Sequence, residues 1–268
     1  MDLFNKLLQR VNNSIKDRIN CHCIIAGADN KQLYSVIGTG ILLEYEEKLF
    51  IVTAAHVIDH NEYTTLYTFL NNQTIELTGD WELTLKPNNE RRKDKIDFAF
   101  HMLDSTTSQT FKSNYKPLQI HDILFNEIPN EKKYYTFFGF PTSKNKPRYM
   151  TDNVRPAPYS YSNYGVKSKI YKDIKYDPML HKIIYFEKKN NGITFPQPEG
   201  MSGGSVWLSL DFDVKNGKSN IFIDKLVGIG ISYNKNPSLL IGIKIDIVIQ
   251  SIKDYLEKLK YLDSKVDL

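Results

Sequence analysis

The chain has 268 residues, of which 41% are hydrophobic and 25% are charged, and its formal net charge is +4. This composition is ordinary for a folded globular protein, and the length suffices for one large domain or two small ones. The basic residues lie in short scattered groups, so the sequence shows no basic face of the kind that binds nucleic acid. No apolar run is long enough to cross a membrane, and we expect no membrane partner.

Residues 1–20 have the repeat of an amphipathic helix. Their apolar positions recur every three to four residues, at Leu3, Phe4, Leu7, Leu8, Val11, Ile15 and Ile19. Charged and amide side chains stand between them, whereas a signal peptide has a continuous apolar core. The only two cysteines are Cys21 and Cys23, so a disulfide framework is not expected. We therefore predict an N-terminal helix on a cytoplasmic protein.

From residue 21 onward, short β-branched and aromatic runs alternate with turn residues. About a dozen such runs follow, among them CIIAGAD, KLFIVTAAHVI and YYTFFGF, which is typical of an all-β barrel or sandwich. The charged segment 44–48 predicts a hairpin turn, and residues 142–177, with several prolines, tyrosines and lysines, predict long surface loops. Helical spacing returns at residues 246–268, where we predict a helix capped by Asp246 and a tail that frays from residue 261.

The segment PEGMSGGSVW, residues 198–207, places Ser202 next to glycines and just before an apolar strand. A serine hydroxyl becomes a nucleophile only beside a base that is itself oriented, and backbone N–H donors must face the developing oxyanion. Glycines allow the tight turn that brings such donors close to a substrate. Ser202 is therefore the candidate nucleophile, with the N–H groups of Gly200 and Ser202 as oxyanion donors and that of Met201 as a further option. Ser205 is expected to be a strand residue behind the site.

The candidate base is His56, which follows an apolar strand and the small residues Ala54 and Ala55. The candidate orienting group is Asp97, because it alone among the nearby acids directly precedes an apolar run, FAF. A partly buried carboxylate there needs a partner, and an imidazole N–H is one. His56 and His60 are four residues apart, as in a zinc-binding helix, but no acidic residue follows in the pattern of a zinc peptidase motif, so no metal and no cofactor are expected.

In chain order, TAAHV, DFAF and GMSGGSVW resemble the three catalytic motifs of the chymotrypsin/trypsin-like serine peptidases. The resemblance covers roughly residues 21–252 and implies an all-β fold of two six-stranded antiparallel β-barrels, with a helix at each terminus. It divides the chain into a helix over 1–20, a barrel with His56 and Asp97 over 21–125, a barrel with Ser202 over 126–245, and a helix over 246–268.

The resemblance implies a serine endopeptidase that hydrolyses protein substrates through an acyl-enzyme intermediate. Met201 stands where the secreted digestive members carry an aspartate, so activation by an N-terminal salt bridge is not expected. The likeness is closer to bacterial members without disulfides. The alternative function is a catalytically silent fold that binds protein or nucleic acid.

The resemblance also places a substrate pocket, whose expected residues are Pro196, Ile231, Ser232, Tyr233 and Gly242. No acidic residue occupies its base, so we expect a small or apolar substrate side chain, with Glu199 near the rim.

Because an unrestrained protease is hazardous to a cell, we hypothesise gating by a regulatory protein that docks on the terminal helices. Bacterial effectors, including those of anti-phage defence, are an analogy for such an arrangement.

Overall fold

The structure is a computed structural model that describes residues 3–29, 33–70, 73–146, 148–149, 156–190, 193–212 and 221–266. Its α-helices within these ranges are α1 (Leu3–Arg18), α2 (Ala55–Ile58), α3 (Ser105–Lys112), α4 (Ser168–Asp173) and α5 (Ile245–Val266). Its strands in the first half are β1 (His22–Ala28), β2 (Leu33–Tyr45), β3 (Lys48–Thr53), β4 (Leu66–Leu70), β5 (Gln73–Glu76), β6 (Glu82–Leu83) and β7 (Ala99–Met102). The later strands are β8 (Lys133–Gly139), β9 (Arg148–Tyr149), β10 (Tyr159–Tyr164), β11 (His181–Tyr185), β12 (Lys189–Asn190), β13 (Ile193–Thr194), β14 (Ser205–Asp211), β15 (Ile221–Lys235) and β16 (Ser238–Lys244).

The first sheet is antiparallel and gathers the strands of the first half. Its order is β5-β4-β1-β2-β3-β7-β6, and the short strand β9 also pairs with β2. The predicted hairpin turn joins β2 to β3, with Glu46 and Glu47 at φ values of 45° and 62° and Tyr45 paired with Lys48. Positive φ at both turn residues matches the twist of the flanking strands.

The second sheet is also antiparallel and has the order β10-β8-β14-β15-β16-β11. Its central strand β14 begins at Ser205, so the segment with Ser202 forms the loop that enters the middle of this sheet. The predicted all-β class, with two antiparallel units and a helix at each end, is confirmed. The strand numbers differ from six and six, because the described residues form an eight-stranded and a six-stranded sheet, and β12 pairs separately with β13.

The burial pattern of β2 changes along the strand, and the position of the strand in the core explains the change. Its first residues alternate between buried and half-buried positions, whereas residues 38–43 are all buried. Ile41 and Leu43 pack with second-sheet residues such as Ile229, while Leu42 packs inside the first sheet. The second half of β2 therefore lies between the two sheets, where both of its faces exclude water.

Apolar residues of both terminal helices pack on the sheets. In α1, Val11 is buried against Leu210 of β14, and in α5, Val248 and Ile252 are buried in the cluster shared by the two sheets. Among the described residues, no helix has the length and apolar character needed to cross a bilayer.

Three predictions about local structure were wrong. Asp246 does not cap α5, because the helix starts at Ile245 and the Asp246 carboxylate accepts the N–H of Asn126 at 2.6 Å. The helix also continues past residue 261 to Val266, and residues 267–268 lie outside the described part. Residues 142–177 are not only loops, since they contain β9, β10 and α4.

Candidate active site

His56 and Asp97 meet because of the pairing of two neighbouring strands. Strand β3 pairs with β7 in a register that sets Thr53 opposite Ala99. The end of β3 and the start of β7 therefore lie at the same edge of the sheet. His56 follows β3 in the one-turn helix α2, and Asp97 lies just before β7.

The two side chains form a short, two-point contact. His56 Nδ1 lies 2.6 Å from Asp97 Oδ2, and the His56 backbone N–H donates to Asp97 Oδ1 at 2.9 Å. The Asp97 carboxylate thereby favours the tautomer with a proton on Nδ1, which leaves Nε2 as the proton acceptor. The His56 side chain is 36% exposed and that of Asp97 is 8% exposed, so the imidazole separates the carboxylate from solvent.

Asp97 occupies an unusual environment for a carboxylate. Burial raises its pKa above the ordinary value, and the hydrogen bond and charge of His56 offset only part of that rise. Its φ of 37° lies in the left-handed region, which a residue with a side chain adopts only where the surroundings require it. This backbone turn lets the Asp97 carbonyl accept the Ala55 N–H at 3.2 Å while its side chain faces His56.

The loop around Ser202 leaves two backbone N–H groups without a backbone acceptor among the described residues. Thr142 donates its N–H to the Glu199 carbonyl at 2.8 Å, and Gly204 donates to the Met201 carbonyl at 3.0 Å. In a planar trans peptide the N–H is opposite the C=O, so the following N–H groups, of Gly200 and Ser202, face away from these anchors. Neither N–H has an acceptor within the part of the chain that the structure describes.

The Met201 N–H is not a third donor, because it bonds to the Pro198 carbonyl at 2.9 Å.

The loop requires glycine at position 203 because neighbouring atoms leave no space for a Cβ atom there. A Cβ on Gly203 would lie 2.0 Å from Thr53 Oγ1 and 2.1 Å from the Thr39 carbonyl, and the φ of Gly203 is 83°. Only glycine fits this position.

Ser205 lies behind the site, as predicted. It is fully buried, and its hydroxyl lies 2.8 Å from His22 Nε2 and 2.5 Å from Trp207 Nε1. The Ser202 hydroxyl, in contrast, borders the same cleft as His56 and Asp97. In this resting structure it makes no hydrogen bond to His56.

The cleft has a volume of about 1030 Å³ and runs between the two sheets. Three of the expected pocket residues, Ile231, Ser232 and Tyr233, line it. Gly242 does not, because a bulge shifts the register after Gly230: Gly242 pairs with Gly230, and Ile241 then pairs with Ser232. The side chains that face Ile231–Tyr233 across the hairpin therefore come from Leu240 and Ile241, which line the cleft.

Pro196 does not line the cleft either. The preceding residue, Phe195, packs on Tyr161 with ring centroids 4.9 Å apart, and neither ring borders the cleft. Sequence reasoning in turn missed Arg91 and Tyr176, which do border it. Arg91 lies in a basic group that looked like a solvated loop, and Tyr176 lies in the segment predicted to be irregular. Neither carries a local signal, because distant residues bring them to the cleft.

Other histidines have structural surroundings. His22 and His181 are buried and bond to backbone carbonyls, of Arg18 and Lys95 respectively. Burial lowers the pKa of His22 to about 4, so this imidazole is neutral at neutral pH. Within the described residues, no group of three or more histidine, cysteine or acidic side chains is placed to hold a metal ion.

Neither a protein-family model nor a curated protein matches the sequence. Solved structures do match it. The serine endoprotease from Yersinia pestis is 14% identical with a TM-score of 0.50, over 91% of this chain and 65% of that one. The thermostable serine protease AL20 from an extremophilic microorganism is 15% identical (TM-score 0.48, 86% of this chain, 92% of that one). The serine protease domain of the Sesbania mosaic virus polyprotein is 16% identical (TM-score 0.45, 84% of this chain, 89% of that one).

At such low identity the likeness shows the fold alone. The chain has the fold of the chymotrypsin-like serine peptidases, as the sequence motifs predicted.

Proposed function

We propose that this protein is a serine endopeptidase that hydrolyses peptide bonds with Ser202 as nucleophile, His56 as base and Asp97 as the group that orients His56. The observation that carries the proposal is the 2.6 Å contact between His56 Nδ1 and Asp97 Oδ2, at a cleft that Ser202 also borders. The chymotrypsin-like fold supports the proposal, since serine peptidases with this fold use a histidine, an aspartate and a serine in the same chain order.

In the first half of the reaction, Ser202 Oγ attacks the scissile carbonyl carbon and its proton passes to His56 Nε2. Asp97 accepts the hydrogen bond from Nδ1 and stabilises the imidazolium that forms. We propose that Ser202 and His56 form the missing hydrogen bond when substrate binds, because sites of this kind tighten in their complexes.

The negative charge that develops on the carbonyl oxygen is stabilised by the N–H groups of Gly200 and Ser202. When the tetrahedral intermediate collapses, the C–N bond breaks and His56 gives its proton to the leaving amine. Water then attacks the acyl carbon with His56 again as base, the bond between this carbon and Ser202 Oγ breaks, and His56 returns the proton to Oγ as the acid product leaves.

We propose that the part of the cleft next to the Ser202 loop takes a small or apolar substrate side chain. Ile231, Leu240 and Phe137 contribute apolar atoms next to the Ser202 loop. Glu199 is exposed at the rim, where water screens its charge. An apolar wall gains free energy mainly from the apolar area that the substrate buries.

A fluorophosphonate probe, which reacts with activated serine hydroxyls, tests the proposal. We expect the purified chain to be labelled, and Ser202→Ala to lose all labelling because the attacking oxygen is gone. Ser205→Ala is the matched control: this hydroxyl is buried and cannot reach the probe, so labelling should persist.

Labelling that survives Ser202→Ala would assign the reaction to another residue. A folded wild-type chain that never reacts would instead favour the alternative, a catalytically silent fold that binds protein or nucleic acid.

We further propose, by analogy with bacterial effector proteases, that a regulatory protein gates the activity in the cytoplasm. Val11 of α1 and the buried residues Val248 and Ile252 of α5 are already packed on the sheets, so we propose that such a partner binds the exposed faces of these helices. Gating predicts that a second protein raises the labelling rate of the purified chain, and a rate that no added protein changes would contradict it.

A further inference from the structure

Arg91 is nearly buried beside the cleft, and its guanidinium binds the carboxylates of Asp59 and Asp94. Its side chain is 11% exposed. Nε donates to Asp59 Oδ2 at 2.9 Å and Nη2 to Asp59 Oδ1 at 3.3 Å, which makes a bidentate pair. On the other side, Nη1 donates to Asp94 Oδ2 at 2.8 Å. Arginine alone among the basic side chains offers a planar fork for such a double contact.

The two carboxylates that Arg91 holds lie next to the two members of the proposed pair. Asp59 follows α2 directly and is three residues after His56, and Asp94 is three residues before Asp97. Asp94 Oδ1 also accepts the Ile96 N–H at 2.9 Å, so it orders the peptide that leads into Asp97. One guanidinium therefore joins the segment that carries the base to the segment that carries its orienting carboxylate.

A third contact ties this junction to the sheet. Arg91 Nη1 donates to the Thr84 carbonyl at 2.7 Å, and the Thr84 N–H donates to the Phe98 carbonyl at 3.1 Å. Phe98 is the neighbour of Asp97 in the chain. Arg91 is thus connected to the segment around Asp97 in two ways, through the Asp94 side chain and through the backbone of Thr84 and Phe98.

The pair needs outside support because Asp97 does not hold its own conformation. Its φ of 37° is unfavourable for a residue with a side chain, and it is buried close to the negative charge of Asp94. The positive charge of Arg91 neutralises Asp94, and its fork fixes the spacing between the two segments.

We propose that Arg91 is a positioning residue for the His56–Asp97 pair, which it holds in register by binding one carboxylate next to each member. The effect on reaction rate rests on the proposed peptidase function, whereas the effect on the geometry of the pair does not.

The test uses the full chain with Arg91→Ala and Arg91→Lys, and Lys93→Ala as the matched control. Lys93 is a basic neighbour that is 47% exposed, pairs with Glu90 and does not border the cleft. One measurement is the rate of fluorophosphonate labelling. The other is the downfield NMR signal of the His56 Nδ1 proton, identified by its loss in Asp97→Ala.

We expect Arg91→Ala to label about 10- to 100-fold more slowly, since misplacement of a catalytic group by about 1 Å has effects of this size. The His56 proton signal should broaden or disappear, because the hydrogen bond opens to water more often. Arg91→Lys should lie between Arg91→Ala and wild type, since it keeps the charge without the fork, and Lys93→Ala should equal wild type. Millimolar guanidinium should speed labelling of Arg91→Ala and leave Lys93→Ala unchanged.

A folded Arg91→Ala protein with the wild-type labelling rate and proton signal would overturn the proposal. If Arg91→Ala does not fold, the same two measurements on Arg91→Lys decide it, and wild-type behaviour there would also overturn it. If wild type is never labelled, the proposed function fails, and the proton signal alone decides whether Arg91 positions the pair.

Discussion

Asp97 is held in a conformation and an environment that do not suit a free carboxylate. It has a left-handed backbone, its side chain is 8% exposed, and burial raises its pKa despite the hydrogen bond from His56. The ionised form, which the proposed chemistry requires, is therefore disfavoured inside the fold relative to water. Activity and stability place opposite demands on this one residue.

This conflict predicts how Asp97→Asn behaves. An acid whose pKa is raised on folding binds its proton more tightly in the folded state, so stability falls as pH rises from about 3.9, the ordinary value, through the raised pKa. Asp97→Asn carries no such charge, so we expect it to melt at a higher temperature than wild type at neutral pH. The difference should shrink as the pH falls toward the ordinary pKa of aspartate. Labelling should drop by about 10⁴-fold, because the tautomer of His56 is no longer fixed.

Melting curves across this pH range, next to Asp104→Asn as a control, check the prediction. Asp104 is an exposed cap of α3 whose pKa is lowered by hydrogen bonds from Thr107, so its removal should not raise the melting temperature at neutral pH. An Asp97→Asn protein that is less stable than wild type at neutral pH would contradict the argument.

Among the elements, α1 is fastened to the second sheet at its C-terminal end. Arg18 is 2% exposed and forms an ion pair with Asp224, donates to Ser209 at 3.3 Å, and lies 4.6 Å from the centre of the Trp207 ring. A second contact with the same sheet lies four residues further along the chain, where the His22 side chain forms a hydrogen bond with Ser205 at the start of β14. The helix is therefore part of the support of the strand that follows Ser202.

Removal of one partner of this ion pair leaves a buried charge without compensation. We expect Asp224→Asn to lower the free energy of unfolding by about 3 kcal/mol, the usual size of this effect for a buried pair. Urea denaturation measures it. Lys260→Ala, which breaks the exposed pair with Glu46, should cause no measurable change. Equal stability of Asp224→Asn and wild type would mean that α1 is held by its apolar face alone.

Elements with a strong repeat could be predicted from the sequence, and elements without one could not. Both terminal helices and most strands have apolar spacing that local packing requires. Strand β10, with the sequence YSYSNY, and helix α4 were missed because their polar residues hide the repeat. Strand β10 is stabilised by its pairing with β8 and by contacts such as Tyr161 with Phe186, which no short segment encodes.

Across the whole molecule, Thr39 of β2 connects the first sheet to the Ser202 loop. Its N–H donates to the Ser202 carbonyl at 2.8 Å and its hydroxyl to the Gly200 carbonyl at 2.9 Å. The hydroxyl also accepts the Phe140 N–H at 3.0 Å. Thr39 is fully buried in the sheet that carries His56, and it thus connects this sheet to the loop that carries Ser202, the proposed nucleophile.

We expect Thr39→Val to slow fluorophosphonate labelling about tenfold, because the Gly200 carbonyl loses its anchor and the loop that carries the two proposed oxyanion donors on either side of it can shift. Thr68→Val is the matched control: Thr68 is equally buried in the first sheet but does not touch the Ser202 loop, so the labelling rate should not change. Equal rates for Thr39→Val and wild type would show that the loop keeps its shape without this bond.

The sequence by itself determined the types and order of the candidate catalytic residues, the glycines of the nucleophile loop and the all-β class. These features depend on short segments, whose conformation follows from local spacing and from the freedom of glycine. The tertiary structure decided the contacts of Arg91, the approach of Tyr176 to the cleft and the exclusion of Gly242 and Pro196 from it. These depend on strand register, where one bulge after Gly230 changes the facing residues, and on packing between residues far apart in the chain.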